Sequence, residues 1–375
     1  RPGPTEDEHL VALGLEREPL DDDARALVEA QIGRGEKRSA HGVHGTTERG
    51  DEARAPVSAS PQPTRTSGLG SCSLTAHPMT PKPPSSCPAS RPASGAPRPA
   101  PRPFARALAR VLLPEAQRER VARLQYDDAG HGYDALGLHP DWVAAGLGAF
   151  RFLYESYFRV ESHGTEHLPA RGPAILVSNH SGTLPLDGAM IYLDVQRHTE
   201  PPRVPRTIVD RFVPLLPFAG LFFARAGAAP GTRENLRFLL EAGELVLIFP
   251  EGTPGVGKRF RERYRLQGWR VGHAETAIAH GVPIVPVAVI GAEEQWPQLA
   301  RLPIRVLGAP YLPVPATPLP LPVRYHIHYG APIHFGYAPE DARRPEIVQR
   351  AADRTRAAVE ALIARGLRER KGVFQ

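Results

Sequence analysis

Read for its apolar positions, the chain falls into two unlike parts. Residues 6–34 carry a weak helical pattern (Leu10, Leu13, Leu20, Leu27, Val28, Ile32), cut off from the rest by residues 56–103, where 13 Pro occupy 48 positions and Ser, Ala and Arg fill much of the remainder. Such a stretch cannot bury enough apolar surface to offset the entropy of ordering it, so a disordered or low-complexity arm is predicted over 1–103. From Phe104 the pattern becomes periodic. Phe104, Leu108, Val111 and Leu112 recur at helical spacing until Pro114. Asp141 can cap a helix from Trp142 to Phe158, whose Trp142, Leu147, Phe150, Leu153, Tyr154 and Phe158 form a broad apolar stripe that packs on a sheet or lies at an interface.

Strand and helix signals then alternate. Strands are predicted at Val160–Gly164, Ala174–Val177, Arg206–Val209, Leu245–Phe249, Ile284–Ile290 and Arg324–Tyr329, with helices at Asp187–Val195, Asn235–Leu240 and Ala274–His280. This alternation predicts an α/β fold with a mostly parallel sheet covered by helices. Pro345–Leu367 is amphipathic, with Ile347, Val348, Ala351, Ala358, Val359, Leu362 and Ile363 on one face and Arg on the other. The expected organisation is an arm over 1–103, a helical segment over 104–149, a principal domain over 150–335 and a carboxyl-terminal amphipathic helix over 336–375.

Two strands end in loops with chemical potential. Ala174–Val177 runs into Ser178-Asn179-His180-Ser181-Gly182, and a helix opens after Pro185 with Asp187 at its start. The carboxyl end of a buried strand is where an open α/β sheet places reactive groups, in a crevice beside helix amino termini. There His180 can act as a base, with Asp187 orienting its ring. Leu245–Ile248 runs into Phe249-Pro250-Glu251-Gly252-Thr253. Gly252 lets the backbone approach a ligand, while exposed amides and Thr253 can hold phosphate or hydroxyl oxygens. Arg225 ends the apolar segment Gly220-Leu-Phe-Phe-Ala and can clamp phosphate or carboxylate. Val282-Pro-Ile-Val-Pro-Val-Ala-Val-Ile-Gly291 reads as a core strand.

In this order, the four blocks resemble those of the glycerolipid acyltransferase family, the lysophosphatidic acid acyltransferases and their relatives. Phe-Pro-Glu-Gly-Thr matches the family's third block letter for letter, and the resemblance covers roughly residues 150–335. It implies that His180 is the general base, Asp187 its partner, and Asn179, Arg225, Glu251, Gly252 and Thr253 substrate-binding groups. Six residues, Ser181 to Leu186, separate His180 from Asp187, against four in the commonest pattern. The longer loop resembles the branch nearer the diacylglycerol- and monoacylglycerol-acyltransferases. The implied reaction moves a fatty acyl group from acyl-CoA or acyl carrier protein to a glycerolipid hydroxyl in phospholipid and glycerolipid biosynthesis, without a metal or other cofactor. An acyl-thioester or ester hydrolase and a non-catalytic membrane-lipid binding module are the competing readings.

Composition narrows the setting. Both cysteines, Cys72 and Cys87, lie in the predicted arm, so thiol chemistry, disulfides and cysteine metal sites are not expected in the folded part, which fits a reducing compartment. The sequence opens at Arg1 without a leader pattern, as a fragment or processed form would. The most apolar windows are too short or too interrupted for a membrane span. A net charge of +6, with the basic run Lys258-Arg-Phe-Arg-Glu-Arg-Tyr-Arg265, suits anionic lipid headgroups, coenzyme A phosphates or an acidic carrier protein. No nucleic-acid motif accompanies it. The expected location is cytoplasmic, peripheral to the inner face of the membrane.

Overall fold

The computed structural model describes residues 103–182, 184, 186–302, 304 and 311–375. Apart from Pro103, the predicted arm lies outside these residues, as do both cysteines. The described residues belong to one compact unit, Ala89–Gln375. The main sheet comprises β1 (Glu161–His163), β2 (Ala174–Ser178), β3 (Arg206–Val209), β4 (Ala229–Pro230), β5 (Leu245–Ile248), β6 (Ile284–Ile290) and β9 (His326–Tyr329), while β7 (Gln298–Leu302) and β8 (Leu312–Pro315) pair separately. The order across the main sheet is β1, β9, β6, β2, β5, β3, β4, and β9 runs antiparallel to β6 while every other neighbour pair is parallel.

The helices are α1 (Pro103–Leu112), α2 (Glu115–Ala122), α3 (Pro140–Phe152), α4 (Leu186–His198), α5 (Ala219–Arg225), α6 (Arg233–Glu241), α7 (Thr253–Val256), α8 (Gly272–His280), α9 (Ala292–Gln295) and α10 (Pro345–Glu369). They cover both faces of the sheet. In β2, Ala174 and Leu176 join a core with Val143, Leu147, Met190 and Ile191 of α3 and α4, while Ile175 and Val177 join another with Leu239, Leu240 and Ala277 of α6 and α8. Burial on both faces explains why β2 and β6 read as unbroken apolar runs rather than alternating ones. The apolar face of α10 is itself buried: Val359, Leu362 and Ile363 pack on Ala288 and Ile290 of β6.

Several expectations are corrected. Asp141 does not cap α3. His139 does, its Nδ1 accepting the Asp141 N–H at 3.1 Å, and Pro140 takes the first helical position where no N–H is needed. The α-helix stops at Phe152, and Leu153–Tyr157 continue as a π-helical turn. Lys258, the first residue of the basic run, is buried and so does not belong to its charged surface. Among the described residues, no helix is long and apolar enough to cross a membrane.

Candidate active site

Strand register brings the two motif loops together. β2 and β5 are parallel neighbours with Val177 opposite Ile248, and His180 and Glu251 follow three residues after each. The His180 backbone N–H donates to Glu251 Oε1 at 2.9 Å. Glu251 is fully buried, and its Oε2 accepts the Gln267 N–H at 2.7 Å. Lys258 Nζ lies 3.0 Å from both Glu251 Oε2 and Glu293 Oε1. Glu293 Oε2 in turn accepts the Tyr264 N–H at 2.6 Å. Burial pushes the Glu293 carboxyl up to about 7 against the pull of Lys258. Burial also opposes the Lys258 charge, but Glu293 and Glu251 outweigh it and hold the ammonium above its ordinary value.

His180 Nδ1 lies 2.8 Å from Oδ2 of Asp187, which is wholly buried. The same oxygen accepts the Ser181 N–H at 2.8 Å, and Oδ1 accepts the Gly188 N–H at 2.8 Å. Asp187 also occupies the first turn of α4, where the helix dipole favours a negative charge. With Nδ1–H donating to the carboxylate, Nε2 is the ring atom left to take a proton. Phe249 fixes the ring plane further, stacking on it with centroids 4.1 Å apart and planes at 23°.

Within the six-residue spacing, Gly182 comes close to α9. Gly182 has φ +85°, and a Cβ there would sit 2.9 Å from Ala292 O. Gly255 allows the close approach of α7: an added Cβ would lie 2.7 Å from Glu251 Cβ and 3.0 Å from His180 Cβ. Both positions admit little besides glycine.

The other predicted residues divide. Asn179 is fully buried; its Nδ2 donates to Val289 O at 3.1 Å and its Oδ1 accepts the Val289 N–H at 2.9 Å. Its amide therefore ties the loop to β6, with both ends of the side chain engaged away from the crevice. Glu251, with both oxygens engaged, likewise holds loops rather than facing solvent. Thr253 Oγ1 donates to Asp210 Oδ2 at 2.6 Å. Gly252 has φ +56°, and a Cβ there would meet the Arg270 guanidinium at 2.9 Å. Arg225 is the last residue of α5, with its guanidinium 4.2 Å from the Tyr133 ring centroid and Nη1 donating to Gly137 O at 3.4 Å. These contacts join Arg225 to the loop before α3, not to the dyad.

Sequence reasoning missed Phe249 as a stacking partner, the Lys258–Glu293 pair, and Asp210 with Arg270 beside Gly252 and Thr253. Asp210 carries a usable signal, since it follows β3, a neighbour of β5. Arg270 is exposed, and its Nη1 lies 3.7 Å from Asp210 Oδ1.

A family model described as Acyltransferase matches residues 159–290. An uncharacterized protein of Mycobacterium leprae is 38% identical over 254 residues, covering 64% of this chain and 69% of that protein. The Homo sapiens DGAT1/2-independent enzyme synthesizing storage lipids is 29% identical, covering 54% of this chain and 60% of that protein. The crystal structure of the 1-acyl-sn-glycerophosphate acyltransferase PlsC from Thermotoga maritima aligns with a TM-score of 0.43 and 15% identity, over 62% of this chain and 83% of that one. With its motif loops joined at the ends of β2 and β5, the chain belongs to the glycerolipid acyltransferase family.

Proposed function

We propose that the protein is an O-acyltransferase that moves a fatty acyl group from the thioester of coenzyme A or acyl carrier protein to a glycerolipid hydroxyl. The observation that carries this reading is the 2.8 Å contact between His180 Nδ1 and the buried Asp187 carboxylate. Asp187 fixes the tautomer, so Nε2 can remove the proton of an acceptor hydroxyl as its oxygen attacks the thioester carbonyl. The C–S bond then breaks and the thiolate takes up that proton from the imidazolium, whose charge Asp187 offsets. The transfer is direct, with no covalent enzyme intermediate.

Thr253 and the exposed Arg270, beside Gly252, are the groups we assign to polar parts of the acceptor or donor. A planar guanidinium suits phosphate oxygens in particular. The vertebrate relatives' name, enzymes synthesizing storage lipids, supports an acceptor that is itself a lipid. Exposed Leu215 and Phe218, just before α5, and Leu221 within it support contact with a lipid surface.

The test is radiolabelled acyl-CoA and acyl carrier protein offered with a panel of lysophospholipid and acylglycerol acceptors, with products separated by chromatography. Labelled acylated lipid formed only with a particular acceptor supports the reading. Release of free fatty acid at the same rate with and without acceptors contradicts it and points to a hydrolase.

A further inference from the structure

A second cluster of chemically able side chains lies across the sheet from His180. β1 and β9 pair in parallel with Glu161 opposite His326 and His163 opposite His328. Because side chains alternate along a strand, Glu161, His163, His326 and His328 all project from one face, while Ile327 enters the core on the other. The sequence contains this as Glu-x-His on one strand and His-x-His on the other, two spacings that become one constellation only through strand pairing. The four residues line a cavity of about 320 Å³ closed by the end of α10.

We propose that Glu161, His163 and His326 form a binding site for a divalent transition-metal ion of the zinc class. Their donor atoms all lie within 4.8 Å of one another. His326 Nδ1 is 3.4 Å from Glu161 Oε2. That is long for a hydrogen bond, but it is the separation of two ligands in a tetrahedral site, where metal bonds of about 2.0–2.1 Å set ligand atoms roughly 3.3 Å apart. His326 is only 6% exposed, and its Nε2 is buried without a hydrogen-bond partner. Its Nδ1, turned toward Glu161, is the nitrogen that would ligate, which leaves Nε2 as the protonated, non-ligating nitrogen of the ring. Two imidazoles and one carboxylate are a borderline donor set that favours zinc and its neighbours over calcium or magnesium.

The surroundings fit. His163 stacks on His328 with centroids 4.4 Å apart, which positions its ring. His328 itself is occupied: Arg365 lies 3.4 Å from its Nδ1, and a Cβ at Gly366 would fall 2.7 Å from its Nε2. The nearby cations do not make an open anion site, because Arg324 pairs with Glu161 Oε1 and Arg370 bonds both oxygens of Glu294 at 2.5 and 2.9 Å. Glu161 Oε2 is thereby left facing His326. Lys371 and Glu369 line the cavity mouth with opposite charges. The ion would clip the three-residue edge strand β1 to β9, and no step of the acyl transfer runs through it.

The experiment uses the full chain, stripped with chelator and titrated calorimetrically with zinc chloride, alongside His163→Ala. That variant removes one donor and a stacking contact, and its unaltered melting temperature without metal is the folding control. Cobalt(II) in place of zinc provides a spectroscopic readout of low coordination number. The expected result is one saturable equivalent of zinc that raises the melting temperature, weakened at least tenfold by His163→Ala. Glu161→Gln is the second variant, with the same expectation. No zinc binding, equal binding by wild type and both variants, or stabilisation by phosphate but not by zinc would each overturn the proposal.

Discussion

The backbone amide of His180 donates to Glu251 Oε1 at 2.9 Å, so the glutamate of one motif loop holds the histidine of the other. Glu251 has no oxygen to spare for a substrate: Gln267 N–H and Lys258 occupy the rest of its carboxylate. The two most recognisable stretches of the sequence are thus one mechanical unit, with Lys258 and Glu293 as its foundation.

Lys258→Met should therefore act as a core mutation with a catalytic consequence. It strands Glu251 and Glu293 side by side in the interior without their cation, and removing one partner of a buried ion pair typically costs about 3–5 kcal/mol. The unfolding midpoint should fall sharply. Any folded fraction should lose turnover while the acceptor's KM stays nearly constant, since the ring is displaced and no binding group is lost. A normal melting curve would show that the triad does not support the loops.

The fold was legible from the sequence because its central strands are buried on both faces. Apolar runs such as Leu245–Ile248 and Ile284–Ile290 admit few other readings, and β3 and β6 begin and end where the pattern places them. The β7–β8 ribbon escaped notice because Leu312–Pro315 carries two prolines, which suit an edge and obscure a strand signal. At the site, the pairing of His180 with Asp187 was legible from the motif residues, in spite of a spacing two residues longer than the commonest pattern. The contacts of Asn179, Glu251 and Arg225 were not, because local sequence cannot show what a side chain meets across the fold. Asn179 finds Val289, 110 residues away, and Arg225 finds Gly137, 88 residues away. Lys258 was hidden inside a run of Arg residues, where one buried cation looks like its exposed neighbours.

The pH dependence of stability should carry the signature of His273. This ring is buried in α8, its Nδ1 2.9 Å from Arg270 O, and burial lowers its pKa to about 4 from an ordinary 6.5. Between those values the unfolded chain binds a proton that the folded protein refuses, so its contribution is complete above about pH 6.5 and is lost as pH falls toward 4. At about 1.4 kcal/mol per unit, the loss is about 3 kcal/mol. Urea unfolding from pH 7 to pH 4.5 should show a shallower decline in His273→Gln than in the wild type. Parallel curves would remove His273 from the account.

Lipid contact can be divided into apolar and electrostatic parts. Phe218 is 92% exposed and Leu215 72%. Burying a phenylalanine side chain in a membrane is worth about 1.5–3 kcal/mol, so Phe218→Ser should weaken vesicle binding roughly tenfold or more at every salt concentration. Attraction of the basic chain to anionic vesicles should fade with added salt, because exposed charges are screened over about 10 Å at 0.1 M. Equal binding to neutral and anionic vesicles at all salt concentrations would reject the electrostatic part, and unchanged binding by Phe218→Ser the apolar part.

Residues 1–102 should be dispensable for the stability of the rest. Among the described residues the core begins at Ala105, and α1 packs on α3, where Leu112 approaches Gly148 closely. The chain truncated to 103–375 should melt within about 2–4 °C of the full chain, the shift corresponding to about 1 kcal/mol for a domain of this size. A larger fall would mean that the amino-terminal residues contribute to the core.

The most direct test of the acyltransferase account is the single-turnover rate of acyl transfer by His180→Ala, measured beside Asp187→Asn once circular dichroism and thermal melting have shown both variants folded. Positioned proton transfer typically contributes about 10²–10⁴-fold, so His180→Ala should lose that much. Asp187→Asn should be similarly impaired, because an amide cannot offset the imidazolium charge and can hold the wrong tautomer. Near-normal acyl transfer by folded His180→Ala would contradict the account, whatever the geometry around the ring.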